Sequence, residues 1–112
     1  MKNIIAGLVA LLLLVTFSSC GSSADPQFRV SNQITDKANI QIQTSGGNTI
    51  NINGVEAGQT TAYQSVAEGN TDVTVGIQNQ SATPTTSFYA YKDNKYTIVI
   101  IDGNPPTLRV DQ

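Results

Sequence analysis

From Phe28 onward the chain alternates apolar and polar residues with a period of two. Phe28 and Val30 alternate with Arg29 and Ser31, Ile40 and Ile42 with Gln41 and Gln43, and Ile50 and Ile52 with Asn51 and Asn53. Val73, Val75 and Ile77 alternate with Thr74, Gly76 and Gln78, and Leu108 and Val110 with Arg109 and Asp111. Side chains on a strand point to opposite faces in turn, so each segment predicts a strand with one face buried and one face wet. Thr86–Tyr91 predicts a further strand, with Phe88 and Ala90 on one side and Tyr89 and Tyr91 on the other. Tyr96–Ile101 is apolar at nearly every position, which predicts a central strand covered on both faces. No segment after Cys20 carries a helical stripe.

The breaks between these segments carry turn chemistry. Gly46-Gly47-Asn48 suits a tight hairpin, Gly54 and Gly58 bracket a short connection, and Glu68-Gly69-Asn70 reads as another turn. Asp93-Asn94 tolerates left-handed geometry, and Pro105-Pro106 interrupts the ladder before the last strand. About seven to eight strands with turns at intervals of about 8 to 12 residues make an all-β fold, a small sandwich or barrel.

The first residues follow a different rule. Lys2 precedes an uncharged run from Ile4 to Phe17, then Ser18, Ser19 and Cys20. A basic start, an apolar stretch and small residues at the exit are the pattern of a secretory signal. The run is shorter than the roughly 20 apolar residues that span a bilayer, and Gly21-Ser22-Ser23-Ala24-Asp25-Pro26 follows it without a basic stop. Phe17-Ser18-Ser19-Cys20 resembles a bacterial lipobox, in which the cysteine takes a diacylglycerol thioether and becomes the new, acylated N-terminus. Phe17 stands where the motif usually has Leu, a departure expected to slow processing.

This resemblance divides the chain into a signal peptide over residues 1–19, a lipidated Cys20 with a flexible tether over residues 20–27, and a sandwich domain over residues 28–112. Its implied partner is the membrane, reached through lipid on Cys20. Gly21 is unlike the Asp that retains lipoproteins at the inner membrane, so the implied address is the outer membrane of the cell envelope. A tether from Gly21 to Gln27 reaches at most about 25 Å at full extension.

The order Gly58, Tyr63, Val66, Gly69, a strand around Val73-Val75, Pro84, then Tyr96-Thr97-Ile98-Val99-Ile100 and Gly103 resembles the β-sandwich catalogued as domain of unknown function 4397. The resemblance covers most of the segment from Phe28 to Gly103. It implies an antiparallel β-sandwich with an immunoglobulin-like or transthyretin-like look, and it carries no established catalytic residues. Ala67-Glu68-Gly69 replaces the family's usual proline-containing turn, and Asp93-Asn94 stands where glycine is common.

Composition narrows the chemistry. Charged residues are 12% of the chain, against about 25% in an average protein. The surface is therefore polar but largely uncharged. The absence of His and the single Cys exclude a Ser-His-Asp or Cys-His nucleophile, a Cys/His zinc site and an intrachain disulfide. Without Lys2 the chain has five basic residues, Arg29, Lys37, Lys92, Lys95 and Arg109, against eight acidic ones. They are scattered along the sequence, which argues against nucleic acid as a partner.

Carboxylates are the remaining acid-base groups. Asp36, Glu56, Glu68, Asp72, Asp93 and Asp102 fall mostly in predicted turns, where Asp caps its own backbone. No catalytic residue, cofactor or metal ligand is nominated. The expectation is a non-enzymatic binding or scaffolding module, with a small carboxylate-dependent hydrolase such as a glycosidase, or a self-assembling surface protein, as alternatives.

Tyr89 and Tyr91 are the candidate binding face. Turned outward beside amide side chains, they suit sugar stacking or a protein interface, so an envelope glycan or protein is the candidate ligand. The competing and weightier expectation is structural, with both rings packed across strands or covering the sandwich edge. The amides Gln41, Gln43, Asn51 and Asn53 give the self-assembly alternative its basis.

Overall fold

The computed structural model describes residues 23–112. The expected signal peptide and lipidated Cys20 lie outside the described residues. Eight strands follow: β1 (Gln27–Asn32), β2 (Ala38–Gln43), β3 (Thr49–Val55), β4 (Gln64–Ser65), β5 (Gly69–Ile77), β6 (Thr85–Ala90), β7 (Lys95–Ile101) and β8 (Thr107–Asp111). They form two four-stranded sheets of order β4-β1-β7-β8 and β3-β2-β5-β6. The expected sandwich is the observed fold. Its ladders are antiparallel except β1–β7, which runs parallel from Gln27↔Lys95 to Asn32↔Ile100. The strand order is not that of an immunoglobulin constant domain, whose first two strands share a sheet; here β1 and β2 lie in opposite sheets.

The two-residue period places the core where the alternation puts it. Phe28, Val30, Ile40, Ile42, Val73, Val75, Ile98 and Ile100 are buried between the sheets, with Ile50, Ile52, Phe88, Leu108 and Val110 half-buried at its margin. Each branched side chain taken fully out of water contributes about 1.5 to 3 kcal/mol before the entropy of ordering the chain is subtracted. The expectation that β7 is covered on both faces holds only in part: Tyr96, Ile98 and Ile100 are buried on the inner face, whereas on the outer face Val99 is buried, Thr97 and Ile101 are half-buried and Lys95 is exposed.

One polar side chain is set into this core. Asn32 continues the inward row of β1 and is fully buried. Its Nδ2 donates to the carbonyls of Asp36 (2.9 Å) and Val55 (3.0 Å), and its Oδ1 accepts from the Ile34 N–H (3.1 Å). With both ends of the amide partnered, the burial penalty is offset, and the β1–β2 connection and the end of β3 are tied to one point.

Two turn expectations change place. Gly54 lies inside β3 at a φ of +71°, beside the register shift between Ala38 and Ile40, so it serves a bulge rather than a loop. Gly69-Asn70 opens β5 rather than forming a turn. The Gly47 hairpin and the left-handed Asp93 fall where the sequence puts them.

The tether is also shorter than expected. Ala24 and Asp93 exchange two hydrogen bonds, the Ala24 N–H donating to the carboxylate (2.8 Å) and the Asp93 N–H to the Ala24 carbonyl (2.9 Å). Pro26 is buried, and its carbonyl accepts from the Val66 N–H (2.9 Å). The chain is therefore fixed to the β6–β7 turn from Ala24 onward, ahead of the sandwich boundary that the sequence suggests at Phe28.

Candidate functional site

Tyr89 sits on the outer side of the edge strand β6, and Tyr91 follows at the start of the β6–β7 turn. They are 45% and 57% exposed, and their rings pack against each other with centroids 4.6 Å apart and planes tilted by 45°. The expectation that they pack across strands or close the edge is thus corrected. The inward partners of β6 do that work: Ala90 is buried, and Phe88 packs against Tyr96 at 4.9 Å between centroids.

Tyr96, which the apolar run places at the start of the central strand, also positions the exposed pair. Its buried hydroxyl accepts from the Tyr91 N–H (2.9 Å) and lies 3.5 Å from the Tyr89 carbonyl, at the limit for donation. The backbone carrying both exposed rings is therefore held from beneath.

The β3-β2-β5-β6 sheet presents an outer face of amides and hydroxyls. Asn39, Gln41, Gln43, Asn51 and Asn53 are all exposed there, with Gln41 opposite Asn51 on β3 and opposite Thr74 on β5. Asp72 is held by the Ser87 hydroxyl at 2.8 Å.

The other sheet is different. Across its outer face runs an open groove of about 460 Å³ whose lining includes Arg29, Tyr63, Lys95, Thr97, Arg109 and Asp111, with the hydroxyls of Ser31 and Thr60. The parallel register puts Arg29 beside Thr97, and its Nε donates to the Thr97 hydroxyl (3.0 Å). The Arg29 guanidinium stands 4.7 Å from the centre of the Tyr63 ring, and Lys95 Nζ stands 5.0 Å from it. Attraction of a cation to the face of an aromatic ring holds each in place.

Three of the five cations that look scattered along the sequence thus meet on one face. Arg109 is neutralised by Asp111, to which it donates two hydrogen bonds of 2.8 and 3.0 Å. That bond holds the Asp111 carboxyl below its ordinary value and raises the Arg109 guanidinium further. Lys37 pairs with Glu56, and Lys92 with Asp25. Arg29 and Lys95 have no carboxylate partner among the described residues.

The sequence-nominated carboxylates are dispersed. Asp36 accepts from Gln80, Asp72 from Ser87, Asp93 from Ala24 and Asp102 from the Gly103 N–H, and Glu56 forms an ion pair with Lys37. No three of them gather into a potential metal site among the described residues.

No family model matches the chain, and no curated protein matches it. Among solved structures, the NMR structure of a protein from Eubacterium rectale is similar to it, with a TM-score of 0.63 and 19% identity over 82% of this chain and 91% of that chain. At that identity the likeness is one of fold.

Proposed function

We propose that this chain is a lipid-anchored, non-enzymatic module of the bacterial cell envelope. It is held at the outer membrane through Cys20, and it binds an acidic envelope glycan in the Arg29–Tyr63–Lys95 groove. The supporting observation is the pair of cations without carboxylate partners on a single aromatic ring, in a chain where every other basic residue after Cys20 is paired. Two like charges within 5.0 Å of one ring centre repel each other, and an anion between them turns that repulsion into attraction. The hydroxyls of Ser31, Thr60 and Thr97 along the same groove suit the hydrogen-bonding pattern of a sugar. The resemblance to the family catalogued as domain of unknown function 4397 accords with an envelope sandwich that has no catalytic residues.

Titration calorimetry with galacturonic acid oligomers, set against neutral galactose oligomers, tests this reading on the detergent-solubilised protein. The acidic series should bind and the neutral series should not, with affinity falling as salt rises. Joint substitution of Arg29→Gln and Lys95→Gln should weaken binding at least about tenfold, the equivalent of about 1.4 kcal/mol. Equal binding of both series, or unchanged affinity in the double variant, would refute the groove as the ligand site.

A further inference from the structure

We infer that Tyr89, Tyr91 and the β6–β7 turn form a seat on the lipid headgroup layer of the membrane that carries the anchor. The inference rests on acylation of Cys20 and takes it one step further, because the structure fixes which end of the sandwich the anchor holds.

The chain is pinned to the β6–β7 turn at Ala24 by its two hydrogen bonds with Asp93. Cys20 and Ala24 are four residue steps apart, with three residues between them. Whatever path they take, at 3.3 to 3.6 Å per residue they span at most about 14 Å. A cysteine whose acyl chains lie in the bilayer therefore keeps Ala24, Asp93 and the β6–β7 turn within about 14 Å of the acyl boundary, next to the headgroup layer. Tyr91 begins that turn, and the Tyr89 ring packs against it. The two most exposed large hydrophobic residues of the domain thus lie at the end that faces the lipid.

Tyrosine suits that place. Its ring is apolar and its hydroxyl is wet, and such residues are enriched where acyl chains give way to headgroups. The charges at this end nearly cancel, with Asp25, Glu68 and Asp93 against Lys92 and Lys95, so contact relies on the rings rather than on attraction to anionic lipid. The Tyr96 hydroxyl beneath gives the seat a fixed backbone. Seated this way, the parallel strands β1 and β7 both run away from the membrane, and the Arg29–Lys95 groove stands along the side of the domain, open to the envelope.

The chain has four tyrosines and no tryptophan, so its intrinsic emission reports tyrosine alone. The acylated protein, reconstituted in phosphatidylcholine vesicles doped with a lipid bearing a nitroxide near its headgroup, should lose the share of emission that Tyr89 and Tyr91 carry. Raised salt should leave the quenching unchanged. The variant combining Tyr89→Ser and Tyr91→Ser, bound through the same anchor, should lack the quenchable share. Should that variant not fold, joint Tyr89→Phe and Tyr91→Phe keeps both rings and removes the same emission. Unquenched emission from acylated, vesicle-bound protein overturns the seat and leaves the anchor standing. Quenching that persists undiminished in the phenylalanine variant places a different tyrosine at the lipid and also overturns it. Protein recovered from membranes without acyl chains on Cys20 overturns both seat and anchor.

Discussion

Tyr96 shows how much one polar atom can do beneath an otherwise apolar surface. Its ring fills core volume beside Phe88, and its hydroxyl serves the backbone of a strand that has no neighbour on its outer side. Tyr96→Phe keeps the ring and removes the acceptor, leaving the Tyr91 N–H to find water. The expected loss is about 0.5 to 1.5 kcal/mol, the usual net worth of one such bond. Urea titration measures it, and hydrogen exchange at the Tyr91 amide should quicken while the β7 amides stay protected. An unchanged Tyr91 exchange rate would mean that the turn is held by the Ala24–Asp93 bonds alone. Asn32 follows the same logic deeper in the molecule, where three hydrogen bonds make a buried amide tolerable.

At the scale of elements, alternation was the most legible signal in the sequence. Segments such as Ile40–Ile42 and Val73–Val75 could satisfy a period of two only with one face in the core. Strand β4 was not legible, because its two residues, Gln64 and Ser65, are both exposed and carry no alternation. Glycine was ambiguous for a physical reason: a positive φ serves a loop, a bulge or a strand entry equally well. Gly69 is the sharpest case, at a φ of +128° at the start of β5. A Cβ there would stand 2.5 Å from Ser45 Oγ and 2.6 Å from Ser45 Cβ, and Ser45 is itself fixed by donating to the Glu68 carbonyl (2.6 Å). Gly69→Ala should therefore destabilise the domain by about 2 kcal/mol or more, combining an unfavourable backbone with a displaced serine. Thermal or urea denaturation reads the loss. Adding Ser45→Gly should recover the steric part and leave the backbone part, and a double variant no better than the single one would assign the whole cost to φ.

The whole molecule depends on pairings between residues far apart in sequence, and here the sequence was least informative. Arg29 and Thr97 are 68 positions apart, and only the parallel β1–β7 register makes them neighbours and gathers the cations around Tyr63. The exposure of Tyr89 and Tyr91 was undecidable for a related reason, since alternation assigns a side of a strand but not whether another layer covers that side. The proposed anchor, in contrast, rests on a purely local signal at Cys20. Among the described residues, packing begins at Pro26 and hydrogen bonding at Ala24, so acyl chains on Cys20, as proposed, would contribute location rather than stability. Cys20→Ala, produced in a bacterial host and followed by lipid labelling and membrane fractionation, should take up no labelled lipid. Its signal peptide should no longer be removed at the lipoprotein site, because processing there follows acylation of the cysteine. Material released from that variant at a site near Ala24 should show the same urea midpoint as the acylated protein in detergent. Labelled lipid on the variant would end the lipoprotein reading. A lowered midpoint would show instead that residues before Ala24 take part in the fold.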